Sequence, residues 1–271
     1  MSRIAIAQIK SSTEKKENLA MSRALIDEAK NKSAQLIAFP EFLMAFSPGE
    51  QSAAELAALA ESIDGPFVTA LKTAARASQT AVLATIYEIC AIPNRVFDTA
   101  LWIDGDGGIA AVYRKLHLYD AFGFKESDKF HPGADIAEPV SWSDARCGMM
   151  ICYDLRFPEM ARMLALGGAD VLFAPSGWVQ GDMKLDHWQT MIKARALENS
   201  CYVVAPDQTG NIYIGHSLVV DPFGRIVLDV GDREGLEIVD LDLGIVTEAR
   251  EKLPLLKNRR SEVYAKHLFG R

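Results

Sequence analysis

The stretch Gly148-Met149-Met150-Ile151-Cys152-Tyr153-Asp154-Leu155-Arg156-Phe157-Pro158-Glu159 decides the reading of this chain. Its apolar beginning, Gly148 to Ile151, reads as a buried strand. The run stops at a cysteine, an aromatic and two opposite charges. Phe157-Pro158-Glu159 then reads as a helix start, because proline's fixed φ suits the first turn and a carboxylate suits the positive end of the dipole. A strand that ends in a thiol and feeds a helix puts the sulfur where sheet, crevice and dipole meet. Such a place stabilises a thiolate and admits substrate. A packed cysteine is the competing reading, since free cysteine is among the most buried residue types.

Outward from this segment, strand-like and helix-like runs alternate. Toward the N-terminus, strands are expected at Arg3 to Ile9, Leu36 to Phe39, Ala81 to Glu88, Asp98 to Ile103 and Ala110 to Arg114. Gly105-Asp106-Gly107-Gly108 makes a hairpin turn between the last two. Helices are expected at Lys15 to Asn31, with Leu19, Ala20, Ala24, Leu25 and Ala29 toward one face, and at Ala53 to Ser62 and Phe67 to Ser78. Tyr119 to Gly133 reads as a polar, aromatic loop. Beyond the cysteine, helices are expected at Pro158 to Leu166 and Lys184 to Asn199. Strands are expected at Val171 to Ala174, Cys201 to Ala205, Ser217 to Val220, Arg225 to Val230 and Leu236 to Asp240. Asp221-Pro222-Phe223-Gly224 is a turn, and the tail from Arg250 to Arg271 reads as basic and irregular. This alternation implies an α/β layered fold in one domain, 1–271.

Composition narrows the function. The 271 residues are 49% hydrophobic and 24% charged, ordinary for a globular chain able to bury a large core. A net charge of -7 gives no footing for nucleic acid. Four cysteines, Cys90, Cys147, Cys152 and Cys201, form no C-x-x-C pair and no disulfide framework, which points to a reduced, cytoplasmic setting without structural zinc. Met1 to Ile9 lacks the features of a signal peptide, and no apolar run nears the ~20 residues that span a membrane.

Three junctions share one construction, an apolar strand followed by an abrupt polar residue: Phe39-Pro40-Glu41, Tyr113-Arg114-Lys115-Leu116-His117 and Ile151-Cys152-Tyr153. If the three strands share one sheet direction, carboxylate, ammonium and thiol converge at one edge. The carboxylate can take the thiol proton and hand it to a leaving amine. The lysine, with the backbone N–H of Tyr153, can hold an oxyanion. Each residue also has a plain structural reading. Glu41 can cap a loop, Lys115 can be a solvated strand-end charge, and Glu159 can simply pair with the helix dipole. His117 invites a Cys–His dyad, although a lone histidine at a strand end is more often structural.

These residues carry a resemblance. Phe39-Pro40-Glu41, Lys115-Leu116-His117-Leu118, Glu126-Ser127 ahead of Pro132-Gly133, and Cys152-Tyr153-Asp154 through Glu159 are similar to the ordered motifs of the nitrilase superfamily of carbon–nitrogen hydrolases. The likeness runs from Ile4 to about Tyr264 and includes Pro175-Ser176-Gly177-Trp178 and His216 to Gly224. It implies a four-layer αββα sandwich and a Glu-Lys-Cys triad. Glu41 would be general base and then acid, Lys115 the oxyanion stabiliser, Cys152 the nucleophile and Glu126 a second, positioning glutamate. His117 then falls to a supporting role. Two carboxylates around one lysine and one thiol imply coupled titration.

Tyr153-Asp154-Leu155-Arg156-Phe157-Pro158-Glu159 after the cysteine resembles the Nit-type amidases, ω-amidases and small bacterial amidases or carbamoylases rather than true nitrilases. The expected reaction is hydrolysis of a small ω-amide or aliphatic amide through a thioester, with water and without cofactor or metal. N-carbamoyl amino acid hydrolysis is the alternative, ahead of nitrile hydrolysis or a silent scaffold. Arg156 is the candidate anchor for a substrate carboxylate, unless it pairs with Asp154 or Glu159. Tyr153, Trp178 and Phe122 are expected to wall the substrate. The resemblance also implies a homodimer or higher homo-oligomer, with contacts on the helix from Pro158 and on the segment 243–271.

Overall fold

The sheets are built from strands whose two faces are both covered, which is why the sequence shows continuous apolar runs instead of alternation. In this computed structural model, which describes residues 1–269, the strands are β1 (Ser2–Gln8), β2 (Leu36–Ala38), β3 (Ala81–Ile89), β4 (Val96–Ile103), β5 (Ile109–Arg114), β6 (Val140–Trp142) and β7 (Ala145–Met149). They continue as β8 (Val171–Phe173), β9 (Tyr202–Ala205), β10 (Thr209–Gly210), β11 (Tyr213–Ile214), β12 (Leu218–Val220), β13 (Ile226–Asp229) and β14 (Gly235–Leu241). The helices are α1 (Lys15–Asn31), α2 (Ala53–Leu59), α3 (Pro66–Ser78), α4 (Pro158–Leu166), α5 (Lys184–Asn199), α6 (Gly244–Lys252) and α7 (Ser261–Phe269).

One six-stranded sheet runs β14-β1-β2-β3-β4-β5 and the other β13-β12-β9-β8-β7-β6. In the first, β1, β2 and β3 are parallel, in register Ile4↔Leu36↔Ala81. In the second, β7, β8 and β9 are parallel, in register Cys147↔Val171↔Tyr202. Their inner faces pack on each other through Ile4, Leu36, Leu83 and Trp102 on one side and Met149, Phe173 and Val204 on the other. Trp102 meets Phe173 edge-on across this gap, with centroids 5.4 Å apart. Helices α1 and α3 cover the first sheet through Ile26, Ala29, Phe67, Val68 and Leu71. Helices α4 and α5 cover the second through Leu164, Trp188, Ile192 and Ala196. The result is the expected αββα sandwich.

Several expectations need correction. Glu41, Lys115 and Cys152 do not follow strands of one sheet: the first two follow β2 and β5, and the cysteine follows β7 in the facing sheet. Antiparallel β3–β4 and β4–β5 pairing sends β2 and β5 the same way, so Glu41 and Lys115 leave at one edge. The cysteine strand ends at Met149, and a 3₁₀ turn over Cys152–Arg156 separates the thiol from α4. The thiol is thus not seated on the N-terminus of α4. The tail is helical rather than irregular, forming α6 and α7. Helix α2 stops at Leu59, where Ala60 turns extended. On α1 the buried positions are Asn18, Ser22, Ile26 and Ala29, while Ala20 and Ala24 are exposed. Its stripe is rotated because the Asn18 amide is anchored inside, donating to the carbonyls of Ser12 at 2.7 Å and Met44 at 3.1 Å.

Candidate active site

Cys152 has a backbone φ of 43°, in the left-handed region that a side chain enters at a cost of roughly 1–3 kcal/mol. Phe42, directly after Glu41, has φ 59°, and Met183, directly before Lys184, has φ 59°. The chain therefore turns sharply where it delivers each of these groups. At the cysteine the turn is held from both sides: its N–H donates to the Pro175 carbonyl at 3.0 Å, and the Ile151 N–H donates to Asp154 Oδ2 at 2.8 Å.

Asp154 joins the two sheets at this point. Its carboxylate also accepts from the Tyr113 hydroxyl at 2.6 Å and lies 2.7 Å from His117 Nδ1. Tyr113 belongs to β5, so a residue beside the thiol is tied to the strand that carries the lysine. The His117 ring stacks on Phe157 with centroids 3.6 Å apart. His117 thus braces the turn, as the resemblance implies, and makes no hydrogen bond to the thiol.

The charged centre is dry. Lys115 is 1% exposed and Glu41 is fully buried. Lys115 Nζ donates to Glu41 Oε1 at 2.7 Å and Glu126 Oε1 at 2.9 Å. The second oxygen of each carboxylate is also used. Glu41 Oε2 accepts from the Gly177 N–H at 2.7 Å, and Glu126 Oε2 accepts from the Tyr119 N–H at 2.6 Å. A Cβ at Gly177 would stand 2.8 Å from the Phe42 ring, so only glycine lets this N–H come close enough. Burial pulls the lysine pKa down, but Glu126 and Glu41 outweigh it and hold Lys115 well above the ordinary value. Burial and the neighbouring Glu41 push the Cys152 thiol well up, so the resting sulfur is protonated and needs a base.

A third carboxylate completes the cluster. Asp98, on β4, has an oxygen 3.8 Å from Lys115 Nζ, and oxygens of Glu41, Asp98 and Glu126 lie within 4.8 Å of one another. Three acidic groups so placed could hold a metal ion, but here the Lys115 ammonium supplies the positive charge. Asp98 was missing from the sequence reading. Its signal was a carboxylate in the middle of the apolar strand Val96-Phe97-Asp98-Thr99-Ala100-Leu101.

Next to the thiol is a pocket of about 230 Å³, lined by Tyr119, Cys152, Tyr153, Arg156, Gly177, Trp178, Val179 and Lys184. Tyr153, Arg156 and Trp178, the expected substrate-wall residues, are among those that line it. Phe122 is not among them: it is 65% exposed and absent from the lining, and it meets the site's edge through Lys184 Nζ, 3.8 Å from its ring centre, and through the Tyr119 ring, centroids 6.5 Å apart. The aromatic loop packs along itself, Tyr119 on Phe124, and of it only Tyr119 lines the pocket. Arg156 pairs with neither Asp154 nor Glu159. Its guanidinium lies 4.7 Å over Trp178, and its buried Nε has no partner among the described residues. Lys184 was not foreseen. It opens α5, is 6% exposed, and donates to the Tyr119 hydroxyl at 2.6 Å.

Residues 3–251 match the family description "Carbon-nitrogen hydrolase". The chain belongs to the carbon–nitrogen hydrolase family. The hydrolase is 34% identical to the deaminated glutathione amidase of Escherichia coli O157:H7 over 244 residues, 90% of this chain and 92% of that protein. Its fold is similar to the crystal structure of the Caenorhabditis elegans NitFhit protein (32% identity, TM-score 0.88), covering 97% of this chain and 66% of that longer one. It is also similar to a mutant of the amidase from Nesterenkonia sp. AN1 carrying acrylamide by Michael addition at its active site cysteine. That match has 26% identity and a TM-score of 0.82 over 99% of this chain and all of the other. The hydrolase is thus an enzyme for carbon–nitrogen bonds other than peptide bonds, and cysteine amidohydrolase chemistry fits it.

Proposed function

We propose that this hydrolase cleaves small amides that carry a carboxylate, with Cys152 as nucleophile, Glu41 as general base and acid, and Lys115 as oxyanion stabiliser. Glu126 positions the lysine. The observation that carries the substrate reading is a pocket with two cations, Arg156 and Lys184, neither meeting a carboxylate among the described residues. Buried cations are normally paired, so an anion from the ligand is what the pocket lacks. The E. coli relative's printed name, an amidase of a deaminated peptide, agrees with an acidic amide.

Glu41 takes the thiol proton as sulfur attacks the amide carbon. The carbonyl electron pair moves to oxygen, where Lys115 and the Tyr153 N–H hold it. The intermediate collapses, Glu41 returns the proton to nitrogen, and ammonia or an amine leaves a thioester. Glu41 then deprotonates water. Attack on the thioester gives a second oxyanion, which expels sulfur and regenerates the thiol. A neutral resting thiol beside a carboxylate favours this order over a preformed thiolate.

The same reading has the chain work as one domain in the cytoplasm, as a homodimer or larger homo-oligomer. No helix among the described residues is long and apolar enough to cross a membrane. Support for assembly is exposed apolar surface at Met163 and Leu166 on α4, Leu197 on α5, and Leu253, Leu255 and Tyr264 in the tail. Of the expected contact segment 243–271, the last two residues lie outside the described residues.

The test is ammonia release from α-ketoglutaramate, succinamate, a deaminated glutathione analogue, neutral aliphatic amides, N-carbamoyl amino acids and a nitrile. The expected result is turnover of the carboxylated amides with neutral amides far behind. Preference for neutral amides sinks the two-cation argument. Carbamoyl substrates leading the panel moves the enzyme to the carbamoylase reading with the same triad.

A further inference from the structure

Three carboxylates and one ammonium share the buried centre, and their hydrogen bonds are unequal. Both oxygens of Glu41 accept N–H bonds, from Lys115 and Gly177, and so do both oxygens of Glu126, from Lys115 and Tyr119. Asp98 is buried like Glu41, at 1% exposure, and neither of its oxygens has a partner among the described residues. Its nearest cation, Lys115 Nζ, is 3.8 Å away and already donates to the two glutamates.

Full ionisation would leave two uncompensated negative charges in a site closed to water, which burial strongly disfavours. At least one proton must stay. It stays where the charged form gains least, on the carboxyl that no N–H reaches. A protonated carboxyl also gains a donor. Carboxylate oxygens of Asp98 and Glu41 lie within 4.8 Å of each other. An O–H from Asp98 to Glu41 would therefore satisfy the unpartnered group and stabilise the neighbouring carboxylate in one contact.

We propose that Asp98 is protonated in the resting enzyme and donates a hydrogen bond to Glu41, making it a positioning residue that keeps Glu41 ionised to receive the Cys152 proton. The proton on Asp98 is not consumed. When Glu41 is protonated by the thiol, the pair holds two protons beside Lys115, and the neutralised acid is ready to give one to the leaving nitrogen. Burial and the Glu41 charge both press the Asp98 pKa well upward, in keeping with this state. The groups facing Asp98 are Glu41 beyond β2, Tyr87 on β3, Lys115 beyond β5 and Glu126 in the loop. Tyr87 is itself pushed well above its ordinary value by burial and by Asp98, and stays neutral.

The role rests on the proposed assignment of Glu41, so the first readout is independent of turnover. In infrared difference spectra at neutral pH, wild type minus Asp98→Asn, the carbonyl stretch of a protonated carboxylic acid should appear. Asparagine copies a neutral donor, so the variant should fold and keep kcat/KM within about tenfold, with the acid limb of the pH profile in place. Asp98→Leu keeps the bulk and removes the donor. Its kcat/KM should fall on the order of 10²-fold, with the acid limb moved to higher pH because Glu41 is then protonated more readily. No acid band, an Asn variant that fails to fold, or Asn and Leu variants with the same pH profile would each overturn the proposal. If the band appears but Glu41→Gln remains active, Asp98 is protonated as proposed and the triad assignment is what fails.

Discussion

Lys115 and Lys184 both lie near Cys152, yet the protein holds them in opposite ways. Lys115 is clasped by two glutamates with a third carboxyl behind it. Lys184 has a phenol hydroxyl, two aromatic faces and another cation for company. Burial and Arg156 lower its pKa, whereas the glutamates keep that of Lys115 high. The inner lysine is finished by the fold, and its charge is ready before substrate arrives. The outer lysine is left incomplete, and what completes it must come from outside. On the proposed function, catalytic preorganisation and substrate recognition occupy adjacent regions with opposite electrostatic logic.

The largest effect tests what lies between the two lysines. Cys152→Ala should cut ammonia release by about 10⁵-fold or more while the thermal transition stays near that of the wild type. The turn is held by backbone N–H bonds that do not involve the sulfur, so alanine leaves it in place. Substantial residual turnover would remove sulfur from the mechanism.

A matched pair of neutral replacements probes the contrast directly. Lys115→Met strands buried carboxylates and should destabilise by about 3–5 kcal/mol, read from denaturant or thermal unfolding. Lys184→Met removes a buried cation with no ionic partner, so unfolding should change by less than about 1 kcal/mol or move slightly toward greater stability. Its loss should appear instead as a rise in KM for carboxylated amides of about tenfold to a hundredfold, with neutral amides unchanged. Equal destabilisation by both replacements would show that the two lysines are held alike after all.

The sequence shows these regions unequally, for physical reasons. Glu41, Lys115 and Cys152 each stand at the abrupt end of an apolar run, and that contrast is visible residue by residue. Their meeting across two sheets was not visible, because strand pairing beyond neighbours leaves no local trace; the sheet order had to come from the fold. Asp98 was missed because the expected strand began at it, and a charge at a strand end looks solvated; β4 begins two residues earlier, at Val96. Lys184 was missed because an N-terminal lysine on a polar helix looks solvated, and only the left-handed Met183 turns it inward. Phe122 failed in the other direction. An aromatic in a loop invites a wall, yet the residue is largely exposed and meets only the rim, at Lys184 and Tyr119. The tail helices were missed because their helical stretches are short and charged, giving little apolar periodicity to read.

The smallest effect separates the two cations at the mouth. An ammonium attracts a carboxylate only while protonated, and burial beside Arg156 sets Lys184 below the ordinary lysine value of 10.5. Rising pH therefore strips its proton earlier than that of a surface lysine, whereas a guanidinium keeps its charge throughout. KM for a carboxylated amide should climb by a few-fold in the alkaline range below that value, while kcat moves less. The climb should be absent for a neutral amide and absent in Lys184→Met. Linkage adds a second sign: a bound carboxylate raises the lysine pKa, so kcat, measured at saturation, should hold to higher pH than kcat/KM does. A KM flat across that range in the wild type would leave Arg156 as the sole anion anchor and reduce Lys184 to a packing residue for the Tyr119 loop.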